Sequence, residues 1–114
     1  MSSKDIMILE RIIEYCRQIE ETCKRFGGYE LFTADYVYRN AVCMCLLQIG
    51  ELAGRLSEEA KQATPSIPWR LIRGLRNLCA HDYGALDFAQ VWATVQEDIP
   101  TLQLACADAL DKLR

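Results

Sequence analysis

The chain has a single histidine, three prolines and no excess of positive charge. One imidazole cannot act as separate acid and base in one reaction within one chain. Prolines only at 65, 68 and 100 leave long stretches able to run as uninterrupted helix. Thirteen Lys and Arg stand against sixteen Asp and Glu, a net charge of −3 and a pI near 5.1. That is the wrong sign for holding nucleic acid by bulk charge, so any contact with phosphate must come from a local cluster. No apolar run approaches the roughly 20 residues that span a bilayer. Residues 1–10 have neither the basic start nor the apolar stretch of a secretory signal. Repeats, low-complexity tracts and the period-two alternation of strands are also missing.

What is present is enough for a core: 51% of the 114 residues are hydrophobic and 25% charged. The length reads as one domain spanning residues 1–114, small enough that a monomer would be marginal and would gain by dimerising. Six cysteines, at 16, 23, 43, 45, 79 and 106, fall mostly on apolar helical phases, where a free thiol behaves as a small hydrophobe. Cys43-x-Cys45 has no second close Cys or His pair to complete a zinc site, so neither a metal nor a cofactor is expected. Unprotected thiols without an export signal fit a cytoplasmic protein.

Helical spacing runs through the chain and predicts an all-α, antiparallel four- to five-helix bundle. Ser3, Asp5, Ile6, Leu9, Ile12, Ile13, Cys16, Ile19, Cys23 and Phe26 mark a first long helix, closed by Gly27-Gly28. Tyr29–Phe32 reads as a connector. Thr33 then caps a second helix from Asp35 to about Leu56, with a nearly all-apolar centre at Ala41–Leu47 that should lie in the core. Tyr36, Tyr38 and Arg39 read as the polar start of that helix. Gly50 and Gly54, four apart, would let another helix approach closely. Ser57-Glu58-Glu59 opens a short helix ending before Pro65, and Pro68 opens a fourth, Trp69 to about His81. Asp87-x-x-Gln90 starts the last, Phe88–Leu113, with a kink or break expected near Ile99 because Pro100 follows.

The fourth helix carries the chemistry. At about 100° per residue, Leu71, Ile72, Leu75, Leu78 and Cys79 fall on one side. Trp69, Arg70, Arg73, Arg76, Asn77, His81 and Tyr83 fall on the other. An acidic chain thus gathers three arginines and its only histidine on one helix face. Such a face is ordinarily solvated surface, and a histidine near a helix C-terminus is ordinarily a cap. The functional reading rests on what metal-free RNA cleavage needs. The 2′-hydroxyl must lose a proton, the 5′-oxygen must gain one, and the pentavalent phosphate needs its charge stabilised. Histidine transfers protons near neutral pH, and arginine offers bidentate donors to phosphate oxygens. A two-fold dimer pairing this helix would supply two imidazoles to one cleft.

The run Arg76-Asn77-Leu78-Cys79-Ala80-His81-Asp82-Tyr83 resembles the Arg-x4-6-His motif of HEPN domains, in the Arg-x4-His-x-Tyr form of HepT-like toxins. Gln48-Ile49-Gly50-Glu51, Ser66-Ile67-Pro68-Trp69 and Gly74 resemble the family's surrounding segments, so the likeness covers essentially the whole chain. The resemblance implies a metal-independent endoribonuclease toxin of a HepT/MntA-type toxin–antitoxin system, acting as a homodimer with paired motifs in the interface cleft. It makes Arg76 and His81 catalytic and Asn77 supportive. It also implies a minimal nucleotidyltransferase antitoxin that transfers AMP to Tyr83, placing bulk and negative charge beside Arg76.

Arg73, Glu51 and Trp69 are expected around the cleft. Glu51 would hold Arg76 or His81, or else is an ordinary surface carboxylate. Trp69 would stack on a base, or else packs at a core margin. The competing reading is a non-catalytic HEPN module that docks a nucleotidyltransferase, which would not need His81. A helical dimer with no ligand is a third. RNA target and base preference leave no trace in these residues.

Overall fold

The structure is a computed structural model that describes residues 2–81 and 87–113. Among these residues seven α-helices follow one another: α1 (Ser3–Phe26), α2 (Tyr29–Ala34), α3 (Tyr36–Gly54), α4 (Glu58–Ala63), α5 (Trp69–His81), α6 (Phe88–Ala93) and α7 (Ile99–Leu113). One wide π-helical turn, Thr94–Asp98, joins α6 to α7. The described residues contain no strand, and the all-α antiparallel bundle read from the sequence is what they form.

Helix α1 starts in a capping box. Ser2 Oγ accepts from Asp5 N at 3.1 Å, and Asp5 Oδ2 accepts from Ser2 N at 3.4 Å. The Asp5 carboxylate also takes Ser57 N (3.0 Å) and the Ser57 hydroxyl (2.7 Å), while Ser57 Oγ caps α4 through Ala60 N. One buried carboxylate therefore ties two helix starts together. Burial pushes its pKa up, but the hydrogen bonds from Ser57 and Ser2 outweigh this and hold it below the ordinary carboxylate value. At the other end Gly27, at φ 123°, turns the chain out of α1, with its N–H on the Cys23 carbonyl.

Three differences from the sequence reading follow. Tyr29–Phe32 is not a connector but most of α2, whose Phe32 is fully buried. The cap of α3 is Asp35, which accepts from Val37 N (2.9 Å) and Tyr38 N (3.4 Å). Thr33 lies inside α2 and donates instead to the Glu30 carbonyl. Tyr38 is no surface residue. It is fully buried, its hydroxyl donates to the Gly27 carbonyl at 2.7 Å, and its ring stacks on Phe26 with centroids 5.0 Å apart. Phe32, Phe88 and Trp92 complete this aromatic cluster. Arg39 lies over the Phe88 ring at 4.6 Å and donates to the Thr33 carbonyl at 2.6 Å, closing the C-terminus of α2.

Helix α1 lies between α3 and α7, and α3 lies between α1 and α5. The pairs Tyr38–Gly27, Cys45–Gln18 and Ser57–Asp5 show that α3 runs antiparallel to α1. Cys16 and Cys106 face each other from α1 and α7, and burial pushes each thiol up to about 12. The apolar centre of α3 is only partly core. Val42, Cys43, Cys45 and Leu46 are buried, whereas Ala41 is exposed and Met44 is 55% exposed. The break expected near Ile99 occurs there, as the π-helical turn that ends just before that residue. Ile99 N–H reaches back to the Thr94 carbonyl, so the chain widens before Pro100, which has no N–H to continue the ladder. Among the described residues no helix is long and apolar enough to cross a membrane.

Candidate active site

Helix α5 is positioned at both ends. At its start the Trp69 indole N–H donates to Thr64 Oγ1 at 2.9 Å, while that hydroxyl donates to the Ala60 carbonyl at 2.8 Å. Trp69 is 7% exposed, so although it belongs to the cleft wall, its ring packs inward and offers no open face for a base. Of the two readings of Trp69, the packing one describes this geometry.

Further along, α5 presses directly on α3. A Cβ added to Gly50 would collide with Arg76 Cβ and sit 3.1 Å from Arg76 N and 3.2 Å from its Cα. Glycine is required here because the Arg76 backbone occupies the space a side chain would take. One turn on, a Cβ at Gly54 would lie 3.2 Å from Arg73 Nε, so the Arg73 guanidinium rests on bare α3 backbone. The close approach expected of Gly50 and Gly54 is therefore the contact that sets two arginines of the motif helix, and its pairing makes α3 and α5 antiparallel.

Glu51 and Asn77 both hold Arg76. Its Nε donates to Glu51 Oε1 in a short ion pair, and its Nη1 donates to Asn77 Oδ1 at 3.1 Å. The Arg76 and Glu51 side chains are each 38% exposed, so the pair borders solvent without being free in it. The Arg76 hydrogen bond and charge hold the Glu51 carboxyl below its ordinary value, with Arg55 and Arg73 adding to the effect. Of the two readings of Glu51, the ligand to Arg76 is the one this geometry shows. Buried Cys79 lies beneath, with a thiol pushed up by its hydrogen bond to Cys43 and by burial, which leaves it as packing between α5 and α3.

Arg76, Asn77 and Glu51 border a cleft of about 800 Å³ between α3 and α5. Arg55, Lys61, Arg70, Arg73 and Arg76 line it, against Glu51 and Glu58. This is the local basic cluster that the overall charge conceals. The sequence reading missed Arg55 and Lys61. The available signal was that Arg55 stands one turn beyond Glu51 on α3. The wheel also placed Leu71 on the apolar side, but it is 70% exposed, beside a cavity that also borders the π-helical turn and α7.

The structure brings Arg76, Asn77, Glu51 and Arg73 together. His81 is the last residue of α5, one helical turn past Asn77, and its side chain is outside what the structure describes. Tyr83 lies outside the described residues.

Comparison with known proteins covers most of the chain. The family described as ribonuclease HepT-like matches residues 12–108. A candidate RNase of Methanocaldococcus jannaschii is 31% identical over 104 residues, covering 90% of this chain and 94% of its own. A candidate RNase of Caldanaerobacter subterraneus subsp. tengcongensis is 30% identical, covering 91% and 92%. A candidate ribonuclease HepT of Thermococcus cleftensis is 36% identical over 95 residues, covering 83% and 86%. No solved structure matches the chain. On the family match and these relatives, the chain belongs to the HepT-like ribonuclease family.

Proposed function

We propose that this protein is a metal-independent endoribonuclease acting as the toxin of a toxin–antitoxin pair. The observation that carries the reading is Arg76, held by Glu51 and Asn77 on the wall of a basic cleft, on the helix that ends at His81, in a HepT-like chain. Arg76 stabilises the negative charge that builds on the phosphoryl oxygens. One His81 takes the 2′-hydroxyl proton as that oxygen attacks phosphorus, and a second protonates the departing 5′-oxygen. The products are a 2′,3′-cyclic phosphate and a free 5′-hydroxyl. Asn77 supports Arg76.

The second His81 comes from a second copy of the chain. Val37, Ala41, Met44, Gln48 and Glu51 form one stripe along α3, and its first half is exposed and apolar: Val37 and Met44 are each about half exposed. Covering that stripe with its two-fold mate makes a homodimer whose interface runs into the cleft edge. Tyr83, two residues beyond His81, is the acceptor for AMP from a minimal nucleotidyltransferase antitoxin. An adenylate there sets a phosphate beside Arg76 in competition with RNA. The reading places this chemistry in the cytoplasm, where the thiols stay reduced.

The test is cleavage of total cellular RNA in EDTA by wild-type and His81→Ala protein, both confirmed by mass to be unmodified at Tyr83. Cleavage by wild type alone, leaving cyclic-phosphate or 3′-phosphate ends, supports the assignment. No cleavage by either folded dimer would overturn it and favour a docking module for the nucleotidyltransferase.

A further inference from the structure

The cleft extends well past Arg76, and the acid–base step uses none of that extension. Arg70 and Arg73 lead away from the motif along α5, spaced like Arg73 and Arg76, and Arg55 faces them from α3. All three are exposed, and no ion pair engages them among the described residues. The far wall also carries Lys61, whose nearest carboxylate, Glu58, is 3.8 Å away. A single scissile phosphate needs Arg76. It does not need four further cations in one cleft of an acidic protein.

Gly74 is a second, independent observation. It sits on the cleft wall in the middle of α5, where glycine weakens a helix, yet a Cβ built there meets nothing within 4 Å. Unlike Gly50, it has no reason within its own chain to lack a side chain. It leaves the helix backbone open to close approach from outside, between the arginine at 73 and the site at 76.

We infer that Arg70, Arg73 and Arg55, with Gly74 as the bare step between them, form a binding track for the sugar-phosphate backbone of a single RNA strand flanking the scissile phosphate. Arg70 to Arg76 spans about 9 Å of helix at about 1.5 Å per residue. At about 3.4 Å of rise per nucleotide along one strand, that is the reach of two or three phosphates. The track's donors are guanidinium groups, which pair bidentately with phosphate oxygens. It requires the substrate to be an oligonucleotide. The assignment rests on the ribonuclease reading for its purpose, but its binding test does not need cleavage.

The experiment measures binding of a fluorescent 12-mer RNA carrying 2′-O-methyl groups throughout, which has no 2′-hydroxyl to attack. The proteins are the wild-type chain, Arg70→Ala/Arg73→Ala, Gly74→Ala, and Lys24→Ala on distant α1 as a charge control. The double variant is expected to bind at least tenfold more weakly. Its slope of log affinity against log salt should be shallower by roughly 1.4, since two phosphates of the strand are no longer neutralised. Gly74→Ala is expected to raise the melting temperature while weakening binding, a pairing that loss of fold cannot produce. With unblocked RNA, the double variant should raise KM on a 12-mer by a larger factor than on a dinucleotide. Wild-type affinity and salt slope in the double variant would overturn the track, as would equal weakening by Lys24→Ala. Normal track-dependent binding without cleavage of unblocked RNA would instead sink the ribonuclease reading alone.

Discussion

The α1–α3–α7 layer and helix α5 are held by opposite means. The layer is bound by volume: Leu9, Ile12, Cys16, Ile49, Cys106 and the Phe32–Tyr38–Trp92 aromatics fill it from several elements at once. Helix α5 packs chiefly on α3, burying Ile72 and Cys79, and is pinned by Trp69 at its start and by the Gly50–Arg76 touch near its end. The first arrangement spreads stability over many side chains. The second keeps most of a helix surface open for a ligand and concentrates precision at a few points. Substitutions in the layer should therefore unfold the protein, and substitutions along α5 should disable it.

Four changes test that contrast. Phe32→Ala empties the centre of the aromatic cluster and is expected to cost about 4 kcal/mol in urea unfolding. A cost under about 1 kcal/mol would mean that the cluster is not part of the main core. Asp5→Asn, which breaks the link between the starts of α1 and α4, should cost about 3 kcal/mol near neutral pH. Asp5 is depressed in the folded state, so its contribution is complete above the ordinary carboxylate value of about 4. It is lost as pH falls through the lower folded value. The gap between wild-type and Asp5→Asn unfolding midpoints should accordingly close on acidification, and a constant gap would refute the assignment.

Gly50→Ala forces α5 off α3 and should cost about 2 kcal/mol. The sharper readout is local: amide exchange should speed up in α5 and stay unchanged in α1, with cleavage reduced at least tenfold. Equal loosening of both helices would erase the distinction between the two regions. Glu51→Gln is the smallest change in stability, with no measurable shift in thermal midpoint expected for a pair at the solvent border. Cleavage should still fall, in kcat more than in KM, because Arg76 loses the carboxylate that aims it. A shifted midpoint with unchanged kcat would make Glu51 structural.

Much of this was legible in the residues. The long helices, their glycine and proline boundaries, the close approach at Gly50 and Gly54, and the gathering of Arg73, Arg76 and Asn77 all follow from period and small-residue spacing. Helix α2 was not legible, because six residues are too few for a hydrophobic period. It exists by virtue of Phe32 inserting into the cluster and Arg39 closing its end. Tyr38 was misjudged since a tyrosine near a helix start reads equally as surface or core until its hydroxyl finds a partner. Leu71 misled for the reverse reason: a wheel assigns faces but does not say which of their residues a neighbour covers. Lys61 joins the cleft only because the fold sets α4 at its edge, which no local pattern encodes, whereas the one-turn spacing of Arg55 from Glu51 was there to be read.

The wide turn at Thr94–Asp98 also keeps time for the C-terminal half of the molecule. Val91, Val95 and Ile99 are all buried, at two successive steps of four residues. In a regular α-helix those two steps would leave Ile99 about 80° ahead of Val91 around the axis. The extra residue absorbed by the π-helical turn removes that lead, and α7 then continues inward through Leu102, Cys106 and Ala109. Removing one residue from the turn would act like a slipped gear tooth. Helix α7 would stay helical, but its apolar teeth would no longer mesh with α1.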